Sequence, residues 1–218
     1  MRATRAFMPV LGCSLLAFML SGCTPNTSDS PATPASSAMA TPGAAPAPTT
    51  SATPSAAPQK AAFTIPSDCH NLVNAATYSA VFAGTPLNDP RVVNPGEAGP
   101  LQPKTAPSGV TPEVVLASAT QLRCVWRDPG ADVTYLEATV ATVDPAVAST
   151  YLDALAAQGY TCKQANGGRQ CQLVAPNTQY PVDDAHTVLL RDTVYIYVGQ
   201  SNFKTTNLMG SIATTIWG

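Results

Sequence analysis

The sequence predicts an α+β fold: an antiparallel sheet with helices packed on one face, held by two disulfides. Three observations lead to this prediction. The expected elements follow the order α-β-β-α-β-β-β-β-α, and most connections are hairpins, which join strands antiparallel. An Asn-Gly pair lies between two cysteines and is a strong hairpin signal. The cysteines outside the N-terminal segment form an even set, as in disulfide-bonded extracellular domains.

The folded domain is expected to occupy residues 62–218. Its first helix is expected to begin with Ser67 as N-cap and Asp68 in the first turn, because a side-chain oxygen and a negative charge both stabilise a helix N-terminus. Seven prolines and four glycines then fall within residues 84–112, which predicts a long loop. Loops of this length are either functional or disordered, and both alternatives stay open.

Two strands are expected after the loop, at 121–127 and 133–143, joined by an Asp-Pro-Gly turn. The clearest helix follows them. Asp144 is its expected N-cap, Pro145 its first residue and Gly159 its terminator. The apolar positions that repeat every four residues along it are Val147, Tyr151 and Leu155. This periodicity predicts that the helix packs on the sheet.

The C-terminal part is expected to form another strand pair, at 187–190 and 193–199, followed by a final amphipathic helix. Leu208, Ile212 and Ile216 recur at helical spacing, so one face of this helix is expected to be buried.

The four cysteines of the domain are predicted to form two disulfides. A two-residue Asn166-Gly167 hairpin turn places Cys162 directly opposite Cys171. Cys69 and Cys124 then pair by elimination. The competing interpretation is a metal or redox site, which needs closely spaced Cys/His pairs or a Cys-x-x-Cys motif, and the sequence contains neither. No metal and no cofactor are therefore predicted.

Recognised catalytic motifs are absent from the sequence. A Ser/His/Asp set could be assembled from His186 with Asp183 or Asp184, but no strand–turn–helix elbow fixes a nucleophile. The two aspartates together could serve acid–base chemistry or bind calcium, and the alternative is a solvated turn after Pro181. No catalytic residue is predicted.

The candidate binding residues are Tyr195 and Tyr197. They alternate with aliphatic residues along one expected strand, so both tyrosines point to the same side of the sheet. If the helices cover only the other side, the tyrosine side is open or lines a groove that could stack a ligand or partner. The alternative is that the two rings simply cap the outer face of the sheet.

The N-terminal segment has the pattern of a secretory signal, because Arg2 and Arg5 precede an apolar run that ends in small residues before Cys23. The tetrapeptide Leu-Ser-Gly-Cys resembles the lipobox of bacterial lipoproteins, in which the thiol is diacylated. Residues 1–22 are therefore expected to be a lipoprotein signal peptide, and the lipid on Cys23 to anchor the chain in the membrane. A permanent span is disfavoured because the apolar run falls short of about 20 residues.

A disordered tether is expected after the anchor. Residues 23–61 consist almost entirely of Ala, Pro, Ser and Thr, which cannot bury enough apolar surface to fold. Whether such a tract carries O-linked sugars stays open. The chain after residue 22 carries nine Lys and Arg against thirteen Asp and Glu, so no nucleic-acid partner is predicted.

The run Ile65-Pro66-Ser67-Asp68-Cys69, together with Cys124-Val125-Trp126, resembles an uncharacterised family of actinobacterial cell-envelope lipoproteins. The four-cysteine domain is remotely similar to the extracytoplasmic sensor domain of mycobacterial Ser/Thr kinases. The resemblance implies an α+β extracytoplasmic domain that binds a ligand, and it carries over no catalytic residue. No stretch of these 218 residues is expected to form a cytoplasmic kinase domain, so direct signalling is not part of the expectation.

The leading functional expectation is a lipid-anchored, non-catalytic binding or accessory domain, sensor-like, on the outer face of the bacterial cytoplasmic membrane. Its expected partners are the membrane, through the lipid on Cys23, and an envelope protein, a glycan or a small hydrophobic ligand. The alternatives are a cell-envelope hydrolase or an inhibitor of one, and a structural spacer without ligand.

Overall fold

The structure is a computed structural model, and it describes residues 62–218. A 3₁₀ helix, Cys69–Asn71, precedes four α-helices and seven strands. The helices are α1 Ala75–Val81, α2 Pro112–Ser118, α3 Pro145–Ala157 and α4 Leu208–Trp217. The strands are β1 Gly99–Pro100, β2 Thr120–Trp126, β3 Tyr135–Thr142, β4 Thr161–Ala165, β5 Gly168–Pro176, β6 Asp183–Arg191 and β7 Val194–Ser201.

The seven strands form one sheet in the order β1-β2-β3-β7-β6-β5-β4, and every pair of neighbours is antiparallel. The last strand, β7, lies in the centre between β3 and β6. After the β2–β3 hairpin, α3 connects β3 to β4 at the opposite edge of the sheet. The strands β5, β6 and β7 then follow in order from that edge back to β3. The predicted α+β class, with an antiparallel sheet and two disulfides, is confirmed.

Helices pack on both faces of this sheet, so the expectation of helices on one face is not confirmed. Successive residues of a strand point to opposite faces. In β3, Val140 belongs to the core beneath α4, whereas its neighbour Ala141 belongs to the core beneath α3. Both faces of the central strands carry buried apolar side chains, and each set requires cover.

The first face carries the larger core. Trp126 of β2 stacks on Phe82 at a centroid distance of 4.1 Å, and both side chains are almost fully buried. Ile212 of α4 is also fully buried in this core. The disulfide between Cys69 and Cys124, with 5.6 Å between the Cα atoms, ties the 3₁₀ helix to β2 on the same face.

The first helix differs from the prediction. Asp68, rather than Ser67, is the N-cap, and its side chain accepts hydrogen bonds from the backbone N–H groups of His70 and Asn71. The helix that Asp68 caps is a single 3₁₀ turn, Cys69–Asn71, rather than the longer helix predicted. A second cap, Asn74, then begins α1 by accepting from the backbone N–H of Thr77.

The β4–β5 hairpin and its disulfide are as predicted. Asn166 and Gly167 have φ values of 53° and 77°, so both turn residues are left-handed. Cys162 faces Cys171 in the register of β4 and β5, and the two form a disulfide with 4.0 Å between the Cα atoms.

The predicted loop at 84–112 lies along the outer edge of β2. The backbone N–H of Asn88 donates to the carbonyl of Val125, and the side-chain Oδ1 of Asn88 accepts from the backbone N–H of Val125. The backbone N–H of Leu101 donates to Gln121, and β1 pairs with β2 between these points. The segment therefore covers a sheet edge that would otherwise present unpaired backbone groups. It leads directly into α2, which the sequence analysis did not predict.

The two remaining helix predictions are confirmed. Asp144 caps α3 by accepting from the backbone N–H of Ala146 at 2.8 Å, and Pro145 is the first helical residue. Gly159 ends the helix with φ of 90°. Leu208, Ile212 and Ile216 of α4 are all buried, as their spacing predicts.

Candidate functional site

The main candidate site is a cavity of about 460 Å³ on the second face of the sheet, beneath α2 and α3. Four of the seven tyrosines of the chain line it, and we call it the tyrosine cavity; they are Tyr151, Tyr160, Tyr195 and Tyr197. The other lining residues come from α2, β2, β3 and β6; they are Glu113, Leu116, Ala117, Arg123, Glu137, Thr139 and His186.

Both tyrosines that the sequence analysis singled out lie in this cavity. Tyr195 is only 7% exposed and packs edge-on against Tyr151 of α3, with 6.1 Å between ring centroids. Tyr197, two residues along β7, is half-buried and shares the same face. The face is covered by α3 rather than open, so the rings form the inner wall of a cavity instead of a flat aromatic surface.

Tyr197 is held in place by two features of β6 and β7. Its hydroxyl forms a hydrogen bond of 2.9 Å with His186 Nδ1, and the two rings stack at an angle of 21°. Its ring lies over Gly199, where a Cβ atom would come within 2.3 Å of the hydroxyl oxygen. Glycine at this position therefore makes room for the phenol, and aromatic rings commonly cover glycines in sheets in this way.

An ion pair forms another part of the wall. Arg123 Nε donates to Glu137 Oε1 at 2.8 Å, and Nη2 donates to Oε2 at 3.3 Å. Nη1 of the same guanidinium donates to the backbone carbonyl of Glu97 at 3.0 Å. The hydrogen bond to Glu137 raises the pKa of Arg123, so the arginine stays charged and engaged.

Burial sets the protonation of the tyrosines. It raises the pKa of Tyr195 and Tyr197 far above the ordinary value for a phenol, because the charged form is poorly solvated. The pKa values of Tyr151 and Tyr160 are raised by the same cause. All four phenols are neutral at physiological pH and offer hydroxyl groups that both donate and accept hydrogen bonds.

Two of the residues considered for a hydrolase are hydrogen-bonded to other partners. His186 bonds Tyr197, and Asp184 accepts a hydrogen bond of 2.9 Å from the side chain of Asn177. Asp183 and Asp184 belong to β6 rather than to a turn. Within residues 62–218, no group of three or more His, Cys, Asp or Glu side chains is arranged to hold a metal ion.

The cysteines contribute stability rather than site chemistry. Neither disulfide lines the tyrosine cavity. Cys23, the predicted lipidation site, lies outside the described residues, as do the predicted signal peptide and the whole of the predicted tether. None of the helices in the described part of the chain has the length and hydropathy needed to cross a bilayer.

A second concavity, of about 280 Å³, lies on the opposite face beside the N-terminus of α4. It is lined mainly by amide and hydroxyl side chains, among them Gln170, Gln172, Thr187 and Gln200. Small-molecule sites are typically apolar and aromatic with a few placed polar groups. The tyrosine cavity has this character, and the second concavity does not.

Sequence reasoning missed Tyr151 and Tyr160 as site residues. The spacing of Tyr151 identified it as a residue that packs on the sheet, and it does so at the cavity wall. Tyr160 follows the glycine that ends α3, and no sequence pattern distinguished it. The pairing of Arg123 with Glu137 depends on the register of β2 and β3, in which Glu137 faces Val125 and lies diagonal to Arg123.

Comparison with known proteins finds no match among protein-family models, curated proteins or solved structures. The interpretation of the site therefore depends on its own geometry and chemistry.

Proposed function

We propose that this protein is a lipid-anchored, non-catalytic binding domain of the bacterial cell envelope, and that the tyrosine cavity holds its ligand. The observation that carries the proposal is the cavity itself. Its volume of about 460 Å³ is in the range of small-molecule sites. Its lining combines four phenol rings with a few polar groups, which is the usual composition of such sites.

Binding fits the cavity better than catalysis does. The polar groups at its wall engage each other: His186 bonds Tyr197, and Arg123 is paired with Glu137. A general base or nucleophile instead needs a partner poised to take or give a proton. A wall of neutral phenols and of polar groups that already have hydrogen-bond partners suits reversible binding of a ligand that is not chemically altered.

The proposed location follows from the sequence. The lipobox-like pattern at Cys23 supports anchoring on the outer face of the membrane. The two disulfides of the domain are typical of an oxidising extracytoplasmic compartment. The segment 23–61 would hold the domain away from the lipid surface. A sensor-like or accessory role, as the resemblance to kinase sensor domains implies, is consistent with a domain that binds and does not react.

The proposal can be tested by blocking the cavity. Ala117 is an exposed residue of α2 that lines the cavity, so Ala117→Trp places a large ring in it. Val114 lies on the same helix outside the lining and is 43% exposed, so Val114→Trp is the matched control. Each full-length protein is incubated with the small-molecule fraction of a bacterial envelope extract, and retained compounds are identified by mass spectrometry.

The wild type and Val114→Trp are expected to retain the same compound, and Ala117→Trp is expected to lose it. Equal retention by all three proteins, or retention by none, would contradict binding in the tyrosine cavity.

A further inference from the structure

We infer that the ligand of the tyrosine cavity is an uncharged, ring-bearing molecule that carries hydroxyl or carbonyl groups. This inference rests on the proposed function and specifies its ligand class. It follows from the charges that the wall holds, the contacts that already satisfy them, and the groups left to meet a ligand.

Anionic ligands meet no free positive charge in the cavity. Arg123 is the one cation in the described lining, and three of its nitrogen atoms already donate, two to Glu137 and one to the carbonyl of Glu97. A carboxylate or phosphate would have to displace Glu137 from a two-point contact. The wall therefore disfavours an anion.

Cationic ligands are disfavoured by the same ion pair. Arg123 lies beside Glu137 in the wall, so the carboxylate that would attract a cation is already neutralised. Glu113 is exposed to water, which screens its charge. A cation is held best over the open face of an aromatic ring. Here the rings pack against one another, Tyr151 edge-on to Tyr195 and Tyr197 stacked with His186. A cation would lose its hydration without adequate replacement.

An uncharged ring meets the remaining groups well. Its apolar surface would pack against the phenol rings and the side chain of Leu116. Its hydroxyl or carbonyl groups would find donors and acceptors in the tyrosine hydroxyls and Thr139. Desolvation of such a ligand is mild compared with that of an ion.

A series of probes that share a naphthalene ring and carry a neutral, an anionic or a cationic substituent tests the inference. 2-Naphthol is neutral at pH 7, 2-naphthoate is its anionic counterpart and 2-(aminomethyl)naphthalene is its cationic one. The full-length protein is labelled with ¹³C in its tyrosine rings, and each probe is titrated by NMR. The four cavity tyrosines report binding. Tyr78, which packs on the other face near Trp126, and Tyr180, in an exposed turn, are internal controls.

2-Naphthol is expected to shift the cavity resonances, leave Tyr78 and Tyr180 unmoved, and bind about tenfold more tightly than either charged probe. Tightest binding by a charged probe would overturn the inference and leave the proposed function standing. Failure of every probe to shift a cavity resonance, or equal shifts at Tyr78 and Tyr180, would overturn both.

A gain of anion binding provides the second test. Glu137→Gln removes the carboxylate that engages Nε and Nη2 of Arg123, so these two donors and the positive charge become available to a ligand. Binding of 2-naphthoate is expected to tighten about tenfold, because a charge-assisted contact becomes available. The double variant Arg123→Gln/Glu137→Gln, which also lacks the guanidinium, is expected to lose this gain while still binding 2-naphthol. An unchanged affinity for 2-naphthoate in folded Glu137→Gln would contradict the argument from the ion pair.

Discussion

Gly199→Ala perturbs the wall of the tyrosine cavity at its tightest contact. The new methyl group would lie within 2.3 Å of the Tyr197 hydroxyl oxygen and 2.9 Å of its Cζ atom. The phenol would therefore have to rotate away and lose its hydrogen bond of 2.9 Å to His186. The substitution is expected to weaken both the fold and the ligand site.

The magnitude follows from three contributions. Overpacking a buried contact costs about 1–3 kcal/mol, and the lost hydrogen bond adds about 1 kcal/mol. Restriction of the unfolded chain by alanine offsets about 0.4–1 kcal/mol. The free energy of unfolding is thus expected to fall by about 2 kcal/mol. Gly84 is the matched control, because a Cβ atom there meets nothing within 4 Å, and Gly84→Ala is expected to change stability little.

The assay is urea unfolding of the full-length protein, arranged as a double-mutant cycle with Tyr197→Phe. Removing the hydroxyl removes the nearest clashing atom, so Gly199→Ala is expected to cost at least about 1 kcal/mol less in the Tyr197→Phe background. If the cost of Gly199→Ala is the same in both backgrounds, or no larger than that of Gly84→Ala, the contact between Gly199 and Tyr197 does not hold the ring in place.

Three further predictions concern the anchor, the hairpin and the phenols. Cys23→Ala is expected to release the protein from membranes on cell fractionation; retention in the membrane fraction would contradict lipid anchoring. Cys162→Ala/Cys171→Ala is expected to lower the free energy of unfolding by about 3 kcal/mol in urea titrations. An unchanged value would show that this disulfide does not stabilise the domain. The pKa values of Tyr195 and Tyr197 are raised above the unfolded value near 10. The unfolded chain therefore loses these protons first. The contribution of the two phenols to the free energy of unfolding should be complete below about pH 10 and should fall as pH rises further. If ultraviolet absorbance shows the phenols losing their protons while the free energy of unfolding stays constant, this prediction is wrong.

Local features of the chain were predictable because their causes are local. The Asn166-Gly167 turn fixes the register of its hairpin, and this register places Cys162 opposite Cys171. The ends of α3 follow from Asp144 and Gly159 in the same way. In each case the deciding contacts join residues fewer than ten positions apart.

The two-sided cover of the sheet was not predictable from strand patterns. In β3, Leu136 and Val140 form a consistently apolar side, whereas the other side mixes Glu137 and Thr139 with Ala141. A mixed side does not reveal whether a helix will cover it. The cavity arises because α3 covers this face at Ala141 and does not extend over the part that holds Arg123 and Glu137, which line the cavity instead.

The tyrosine site was predictable in part. Strand alternation places Tyr195 and Tyr197 on one face. The other two phenols, of Tyr151 and Tyr160, come from α3 and the turn that follows it, and only the packing of α3 on the sheet brings them to β7.

The most direct test of the central claim is the tyrosine NMR spectrum of the full-length protein with and without the compound that it retains from envelope extract. Binding in the tyrosine cavity predicts shifts confined to the resonances of Tyr151, Tyr160, Tyr195 and Tyr197. A spectrum in which these resonances stay fixed while the compound is bound would contradict the claim and place the binding site elsewhere on the chain.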